Sequence, residues 1–437
     1  MTEELVLRLH ENVVGRIRRG PTLAQVRLSI DPDYDATGVT LSESFASVPG
    51  TSPRVGVVSN FLGGYVPEGY HRTVMASRRG VDPSDLFGLL REYGGSLAGA
   101  VTVTPDSGAR GADGSGWLEQ LSSADLAERL RQAVRETDQA VPGDSRSTLP
   151  GFQPKLLAFR TGDGWAQPHG AAHSTHILKP QVADRATRLV DEYYAHLLAR
   201  RAGLAAYDSE LLEADGVTFL AIERFDRVVG SDGHVGLVHQ EDMAQALGLD
   251  WQSTAVKFQD PHRPDNPAHA SATRVARLLS TVPRGSELLN AWVQRFVFSL
   301  ILGDNDAHAK NIALLHTAQG TSLAPAYDVV PNLFQRDMID EGFRMAFAVR
   351  GSFDHRQVTR DSIVDEVTAW PSMTPTRAAA QVDAAMTVCG EAVAEVPPPD
   401  GLSEGLVDKV HTTVERLSAG DPIGVSPWQK GSRRQDA

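Results

Sequence analysis

A short polar segment, residues 303–311 with the sequence GDNDAHAKN, restricts the possible folds more than any other part of the chain. It follows an apolar run with the composition of a buried helix. After it, residues 312–316 are predicted to form a strand, residues 318–320 a turn and residues 323–327 a return strand. Asp328 comes directly after this hairpin. The predicted order is therefore helix, polar loop, hairpin and aspartate.

The acidic and amide residues of this segment have a spacing that indicates phosphate transfer. Asn311 follows Asp306 by five residues, and Asp328 lies seventeen residues beyond Asn311. Protein kinases use an Asp to orient the acceptor hydroxyl, and an Asn five residues later and a second Asp to hold magnesium. Asp306 is therefore the candidate base, and Asn311 and Asp328 are the candidate Mg²⁺ ligands. Asp304 competes for the role of base, but the five-residue spacing favours Asp306.

The histidines and the cysteine add one candidate residue to the catalytic loop and argue against a zinc site. His308 lies inside the polar loop, where we predict that it hydrogen-bonds and supports the catalytic arrangement. The remaining histidines show no H-E-x-x-H or Cys/His pattern, so a zinc site is not expected. Cys389 is the only cysteine and has no partner for an internal disulfide.

Composition and charge limit the class of protein. The 437 residues are 41% hydrophobic and 22% charged, as in a globular protein with two or three domains. No apolar run approaches the roughly 20 residues that span a bilayer, and the first residues lack the features of a signal peptide, so a cytoplasmic protein without membrane partners is expected. The net charge of −13 argues against direct DNA binding, although a basic partner protein can supply it.

The pattern of predicted elements divides the chain into four segments. Residues 1–140 form an amino-terminal subdomain, residues 141–228 an ATP-binding core, residues 229–424 a helical catalytic lobe, and residues 425–437 a disordered tail. A strand-rich half followed by a helical half predicts an α+β, bilobal, protein-kinase-like fold. Its N-terminal lobe is mixed α/β with an extra amino-terminal subdomain, its C-terminal lobe is mostly helical, and the nucleotide is expected in the cleft between them.

Individual elements follow from local patterns. Alternating apolar residues predict a hairpin over residues 5–9 and 13–17. Asp82 is predicted to be the N-cap, and Pro83 the first residue, of a helix that ends at Gly94. The other predicted elements are strands 99–104, 156–159, 175–179 and 219–223 and helices 124–137 and 185–201.

Two residues of the second segment are candidates for the nucleotide site. Lys179 ends a predicted strand, from which its ammonium group can reach the α and β phosphates. The alternative for Lys179 is a strand-end lysine in solvent. Glu192 lies in the next predicted helix, where a kinase has the carboxylate that holds this lysine. Because Glu192 is off the apolar stripe of that helix, a solvated surface glutamate is the alternative.

Two loops complete the predicted nucleotide site. Gly151, in the loop of residues 147–155, lets the backbone approach phosphate oxygens, although an ordinary Pro/Gly turn has the same sequence features. Glu223, Phe225 and Asp226 end a strand at the junction of the lobes, where backbone groups of a kinase bind adenine. An acidic cluster at a strand end is the alternative reading of these three residues.

Several motifs together carry a resemblance to a known family. They are residues 63–69 (GGYVPEG), 151–155 (GFQPK), 175–180 (THILKP), 191–194 (DEYY), 223–227 (ERFDR), 240–242 (QED), 306–311 (DAHAKN) and 327–328 (YD). The chain resembles the HipA-type serine/threonine kinases, the toxin components of bacterial type II toxin–antitoxin pairs. The resemblance covers nearly the whole length.

This resemblance implies ATP and Mg²⁺ as cofactors, with Lys179 on the phosphates and Asp306 as the base. It implies a helix-turn-helix antitoxin partner similar to HipB, with which the toxin sits on operator DNA. It also implies a protein substrate; known substrates of the family include aminoacyl-tRNA synthetases such as the glutamyl enzyme. Phosphorylation of a synthetase arrests translation and growth.

The family commonly carries a serine in the phosphate loop, and autophosphorylation of that serine silences the kinase. Thr148 occupies this place in the present chain, with Ser147 beside it. Either hydroxyl can accept phosphate, so the off-switch is expected while the choice of hydroxyl stays open. Pro150 and Pro154 make this loop stiffer than is usual in the family.

Two alternatives to an active protein kinase remain. One is a catalytically silent co-repressor that acts with a DNA-binding antitoxin; the intact set of Lys179, Asp306, Asn311 and Asp328 argues against it. The other is a small-molecule or lipid kinase, which shares only the short catalytic loop.

Overall fold

The computed structural model describes residues 3–35, 38–105, 116–136, 149, 153–170, 172–185, 187–231, 233–335 and 343–424. The chain forms two compact units. The first unit comprises residues 1–182, 207–254 and 314–322, and the second comprises residues 183–206, 255–313 and 323–437.

The first unit begins with a four-stranded antiparallel sheet in the order β3-β2-β1-β4. Alternating side chains of these strands are buried against three helices, so the hydrophobic core of this part lies on one face of the sheet. The strands are β1 (Leu5–Leu9), β2 (Asn12–Arg19), β3 (Val26–Ile30) and β4 (Val101–Pro105), and the helices are α1 (Val55–Gly63), α2 (Gly69–Arg78) and α3 (Leu86–Tyr93).

A six-stranded antiparallel sheet in the order β5-β7-β6-β8-β10-β9 forms the second part of this unit, and helix α4 packs on it. Its elements are β5 (Trp117–Leu121), α4 (Ser123–Glu136), β6 (Leu156–Thr161), β7 (Gly164–His169), β8 (His176–Pro180), β9 (Ser209–Ala214) and β10 (Val217–Glu223).

Short elements complete the first unit. Strands β11 and β12 pair with each other, and β13, β14 and β15 form a three-stranded sheet. These elements are β11 (Arg227–Val229), β12 (Val235–Leu237), β13 (His239–Asp242), α6 (Met243–Ala246), β14 (Ala313–Thr317) and β15 (Gly320–Leu323).

The second unit is mostly helical and is built around α8. This helix is apolar on nearly all sides, and Trp292 of α8 stacks on Trp370 with ring centroids 5.9 Å apart. Such a helix is stable only in a protein interior. The elements of this unit are α5 (Arg188–Arg201), α7 (Ala272–Thr281), α8 (Gly285–Leu302), β16 (Arg344–Val349), β17 (Ser352–Asp354), α9 (Arg360–Thr368), α10 (Pro375–Glu395) and α11 (Leu406–Ser418).

The predicted start of the third helix is wrong by three residues. Asp82 does not cap a helix; its carboxylate accepts hydrogen bonds from the amide and the hydroxyl of Ser84 at 2.7 and 2.6 Å. Asp85 is the N-cap of α3 and accepts from the amide of Gly88 at 3.0 Å. Two aspartates compete for one helix start, and Asp82 is used by the preceding turn.

Two predictions for the catalytic half also need correction. The return strand of the hairpin is β15, at Gly320–Leu323, and residues 324–327 are not in a strand. The predicted helical half contains strands β16 and β17 in addition, which pair with each other. Their buried run Met345–Val349 has the same apolar composition as a short helix, and periodicity alone does not separate the two.

Among the described residues, none of the helices combines the length and the hydrophobicity needed to span a bilayer. The predicted disordered tail, residues 425–437, lies outside the described part of the chain.

Candidate active site

Backbone hydrogen bonds give the polar loop after α8 a fixed shape. Gly303 ends α8 in the left-handed region at φ +64°, which turns the chain out of the helix. The amide of His308 then donates to the Asp306 carbonyl at 2.7 Å, and the amide of Asn311 donates to the His308 carbonyl at 2.9 Å. The side chain of Asn311 donates to the same Asp306 carbonyl at 2.8 Å. The loop is therefore held tightly around Asp306.

The Asp306 side chain is 42% exposed, so its carboxylate can meet an incoming hydroxyl group. Its Oδ1 lies 3.4 Å from Nε2 of His308, which is buried. The imidazole of His308 makes an edge-to-face contact with the ring of Phe258, with centroids 4.9 Å apart. His308 thus lies next to the candidate base in a fixed orientation, which agrees with the supporting role predicted for it.

Asp304 differs from Asp306 in its environment. It is only 6% exposed, and its Oδ1 accepts a hydrogen bond from the Asp306 amide at 3.0 Å. Burial raises the pKa of the Asp304 carboxyl to about 8, and the negative charge of Asp306 adds to this shift. A buried carboxyl engaged with the backbone is poorly placed to meet a substrate. These observations support Asp306 as the base and Asp304 as a residue that holds the loop.

The raised pKa of Asp304 predicts how stability depends on pH. A carboxyl whose pKa is higher in the folded than in the unfolded chain stabilises the fold fully below about pH 4, and this contribution is lost as pH rises through about 8. Asp304→Asn removes that loss. We therefore expect the free energy of unfolding, measured by urea denaturation in EDTA, to fall less steeply with pH in Asp304→Asn than in the native protein. Parallel pH profiles would contradict the assignment.

Asn311 and Asp328 were predicted to hold Mg²⁺, and both carry side-chain oxygens of the kind that Mg²⁺ binds. Because the Asn311 amide nitrogen donates to the Asp306 carbonyl, its Oδ1 is the atom left for a metal ion. Asp328 has φ +54°, a left-handed conformation that is rare for a residue other than glycine and clusters at functional sites. Among the described residues, no group of three or more His, Cys, Asp and Glu side chains can hold a metal ion. Phosphate oxygens and water would have to complete the coordination.

Two contacts that the sequence did not indicate hold the residue before Asp328 in place. The hydroxyl of Tyr327 donates to the Lys310 carbonyl at 2.9 Å. Arg295 of α8, which is buried, donates to the Tyr327 carbonyl at 3.3 Å. These bonds hold the residue before Asp328 against both the catalytic loop and the helix that precedes it. A lone arginine in an apolar helix was the only sequence signal for this arrangement.

Lys179 lies in β8 and pairs across the sheet with Leu220 of β10. Its side chain is buried, which excludes the alternative of a strand-end lysine in solvent. The structure therefore keeps Lys179 as a candidate for the nucleotide site.

Glu192 lies in α5 and is also buried. This excludes the alternative of a solvated surface glutamate, which its position off the apolar stripe had left open. Its neighbour Asp191 anchors the helix. The Asp191 carboxylate accepts from the amide and the hydroxyl of Ser403 at 2.9 and 2.6 Å, and from Gln335 at 2.7 Å. Both acidic residues thus face protein, so α5 buries more than its apolar stripe.

The cluster that ends β10 is held by hydrogen bonds and ion pairs. Asp226 is buried between Arg224 and Arg227, with N–O distances of 2.7 and 2.8 Å, and accepts from the Gly99 amide at 2.8 Å. Burial acts to raise the pKa of the Asp226 carboxyl, but the two arginines outweigh it and hold that pKa well below the usual range. The Asp226 side chain therefore connects Gly99 to the residues that follow β10.

Glu223 and Phe225, which were also predicted to contact the nucleotide, are placed beside the start of β9. The Glu223 carboxylate accepts from the Asp208 amide at 3.0 Å, and the rings of Phe225 and Tyr207 are 5.7 Å apart. The predicted phosphate-loop residues Ser147, Thr148 and Gly151 lie outside the described residues.

Two models of known protein families match this chain. The family model of the HipA-like C-terminal domain matches residues 147–398, and the model of the HipA N-terminal domain matches residues 5–104. The chain belongs to the HipA family. The resemblance inferred from the sequence motifs is thereby confirmed.

Two curated relatives come from Sinorhizobium fredii. The putative kinase Y4mE is 32% identical over 64% of this chain and 65% of its own length, and the putative kinase Y4dM is 30% identical over 63% of each chain. The match thus spans just under two thirds of both relatives. The serine/threonine-protein kinase toxin HipA of Shewanella oneidensis is 25% identical over 82% of this chain and 81% of its own length.

Among solved structures, HipA from the complex of Shewanella oneidensis HipA, HipB and operator DNA superposes with a TM-score of 0.77. The superposition covers 95% of this chain and 96% of that chain at 22% sequence identity. This likeness shows that the chain has the fold of HipA, and it confirms the predicted α+β, protein-kinase-like fold class.

Proposed function

We propose that this HipA-family protein is an ATP- and Mg²⁺-dependent serine/threonine protein kinase. The observation that carries the proposal is the loop in which Asn311 donates to the carbonyl of the exposed Asp306. Tyr327 binds the same loop through the Lys310 carbonyl, and Asp328, which follows it, has a left-handed conformation. This is the arrangement that a kinase needs for a base and two metal ligands. The relatives named as kinases add support.

In the proposed reaction, a Ser or Thr hydroxyl of the substrate attacks the γ-phosphorus of ATP. The bond from this phosphorus to the β–γ bridging oxygen breaks, ADP leaves, and the Asp306 carboxylate accepts the hydroxyl proton. Asn311 and Asp328 would hold Mg²⁺, which would neutralise charge on the phosphates. Lys179 is proposed to bind the α and β phosphates. Six further residues remain proposed to bind ATP: Thr148, Gly151, Glu192, Glu223, Phe225 and Asp226.

We propose that the physiological role is that of a toxin in a toxin–antitoxin pair. A curated relative is named as a HipA toxin, and the solved complex contains HipA, HipB and operator DNA. The proposed partner is a small helix-turn-helix antitoxin similar to HipB, and operator DNA is reached through it. The net charge of −13 favours an antitoxin as the DNA-binding member. The proposed substrate is a host protein such as the glutamyl-tRNA synthetase, whose phosphorylation would arrest translation.

The test of kinase activity is intact mass spectrometry with phosphosite mapping after incubation with Mg²⁺ and ATP. We expect the native protein to gain one phosphate at Thr148 or Ser147, because the family silences itself in this loop. Asp306→Asn should gain none. Thr148→Val and Ser147→Ala, made singly, identify the hydroxyl that is used.

The outcomes separate the parts of the proposal. Phosphate on native protein and on Asp306→Asn alike would remove Asp306 as the base. Phosphate at other positions would retain the kinase and overturn the loop switch. No phosphate on native protein, and none on glutamyl-tRNA synthetase or other host proteins added in a cell extract, would overturn the kinase.

A catalytically silent co-repressor is the second candidate, and the named complex of a family member with antitoxin and operator DNA favours it. It predicts that native protein and Asp306→Asn bind the antitoxin and its operator equally well, and that neither one arrests growth when it is expressed alone. Growth arrest by native protein only would decide for the kinase.

A further inference from the structure

A pocket of about 490 Å³ opens beside the candidate base within the second unit. This volume is within the range of roughly 300–1,000 Å³ that is typical of ligand sites. Asp306 and Asn305 form one wall, and Phe258, Pro261 and Met345 supply apolar surface. The proposed base therefore opens onto a cavity large enough for a few residues of an extended peptide.

A second part of the lining is held by a network around Gln259, which also lines the pocket. The Gln259 amide donates to the carbonyl of Ala346 at 3.1 Å, and its side-chain oxygen accepts from the amide of Ala348 at 2.8 Å. Its side-chain nitrogen donates to the carbonyl of Pro264 at 3.2 Å. The segment before α7 is thus fixed to strand β16, so the pocket has a formed wall.

The charges in this pocket are unusual for so acidic a chain. Among its lining residues Asp306 is the only carboxylate, whereas Arg188 and Arg344 supply two guanidinium groups. Nε of Arg188 is buried and has no hydrogen-bond partner among the described residues. The guanidinium group of Arg344 lies over the ring of Phe353, 5.3 Å from its centroid. Arg188 is also the first residue of α5, whose N-terminal amides add positive potential.

The position of the pocket relative to the metal ligands identifies the substrate that it can take. Neither Asn311 nor Asp328 lines it, although Asp306 does. In a kinase the base hydrogen-bonds the hydroxyl that accepts the phosphate, whereas the metal ligands lie on the side of the nucleotide phosphates. A cavity that includes the base without the metal ligands is therefore on the side of the acceptor.

We propose that this pocket binds the acceptor segment of a protein substrate with an acidic residue next to the phosphorylated Ser or Thr. Arg188 and Arg344 are the side chains that bind its carboxylate, since a guanidinium group meets a carboxylate with two parallel hydrogen bonds. The inference rests on the proposed kinase function for the identity of the acceptor, but the binding preference itself requires no phosphate transfer.

The experiment measures the binding of two fluorescein-labelled peptides to the full-length protein by fluorescence anisotropy. Both peptides have a central serine in an alanine scaffold; one has glutamates on either side of the serine and the other has lysines. We expect the glutamate peptide to bind more tightly. Arg188→Glu and Arg344→Glu should each weaken its binding roughly tenfold, and the double variant should prefer the lysine peptide.

The control is Arg277→Glu, which makes the same charge change at an exposed position of α7 outside the pocket. It should bind both peptides as the native protein does. Equal affinity of the native protein for the two peptides, or a glutamate preference that survives in Arg188→Glu/Arg344→Glu, would overturn the pocket assignment. A third outcome separates the two proposals. If the glutamate peptide binds through the arginines but is never phosphorylated, and the protein also fails to label itself or host proteins, the pocket assignment stands and the kinase activity is overturned.

Discussion

Asp306→Asn is expected to lower the rate of phosphate transfer by about 10³-fold and to leave the affinity for Mg²⁺ and ATP nearly unchanged. The amide of asparagine has the shape of the carboxylate but does not accept the hydroxyl proton. The backbone carbonyl of residue 306, to which Asn311 donates, is retained in the variant. The loss should therefore fall on the chemical step. Single-turnover phosphorylation and equilibrium nucleotide titration measure the two quantities separately.

Two matched variants make this result specific. Asn311→Ala should lose Mg²⁺-dependent ATP affinity, because it removes a proposed metal ligand, and its affinity for ATP in EDTA should not change. Asp304→Asn should keep most of the transfer rate, because Asp304 is buried and engaged with the Asp306 amide. If Asp304→Asn lost as much activity as Asp306→Asn, the assignment of the two carboxylates would have to be reversed.

The catalytic loop could be predicted from the sequence because its geometry is local. Asp306, His308 and Asn311 lie within six residues, and the hydrogen bonds among them are made inside the same loop. Spacing along the chain therefore fixes most of their arrangement. The roles of these residues stay predictions until the variants are measured, but their mutual placement follows from nine consecutive residues.

The pocket next to the loop could not be predicted in this way. Arg188, Gln259 and Arg344 come from three segments separated by more than 70 residues each, and only the tertiary fold brings them together. Exposed or half-buried arginines are common on protein surfaces, so neither composition nor periodicity distinguishes these two.

Fold class was easier to predict than the ends of individual elements. The hairpin of β1 and β2 and the helix α4 have clear periodicity, and they are found within two residues of their predicted bounds. The return strand β15 was misplaced because Gly320 is a strand residue as well as a turn residue, at φ +119°. Boundaries at such residues depend on pairing with a neighbouring strand, which local sequence does not specify.

Asp226→Ala is expected to destabilise the protein by about 3–5 kcal/mol, the usual cost of removing one partner from a buried ion pair. The side chains of Arg224 and Arg227 are only 2% and 1% exposed, and the substitution leaves two buried positive charges facing each other. It also removes the acceptor for the amide of Gly99, a residue at φ +72° whose amide and carbonyl both bind this cluster. Urea denaturation of nucleotide-free protein measures the effect.

The dependence on pH and two control variants test the physical cause. Because the native pKa of Asp226 is lowered, its contribution is complete above the unfolded pKa of about 4 and is lost only as pH falls through the native pKa. The deficit of Asp226→Ala should therefore be the same at neutral and at mildly acidic pH.

Asp383→Ala is a control that breaks a partly exposed ion pair. The side chain of Asp383 is 50% exposed and that of its partner Arg360 is 28% exposed, so the substitution should cost less than about 1 kcal/mol. Replacing the whole cluster, as Arg224→Met/Asp226→Leu/Arg227→Met, should recover part of the lost stability, since no buried charge then lacks a partner. If the triple variant were less stable than Asp226→Ala, the bonds of Arg227 to the carbonyls of Leu97 and Gly99 would outweigh the charge imbalance.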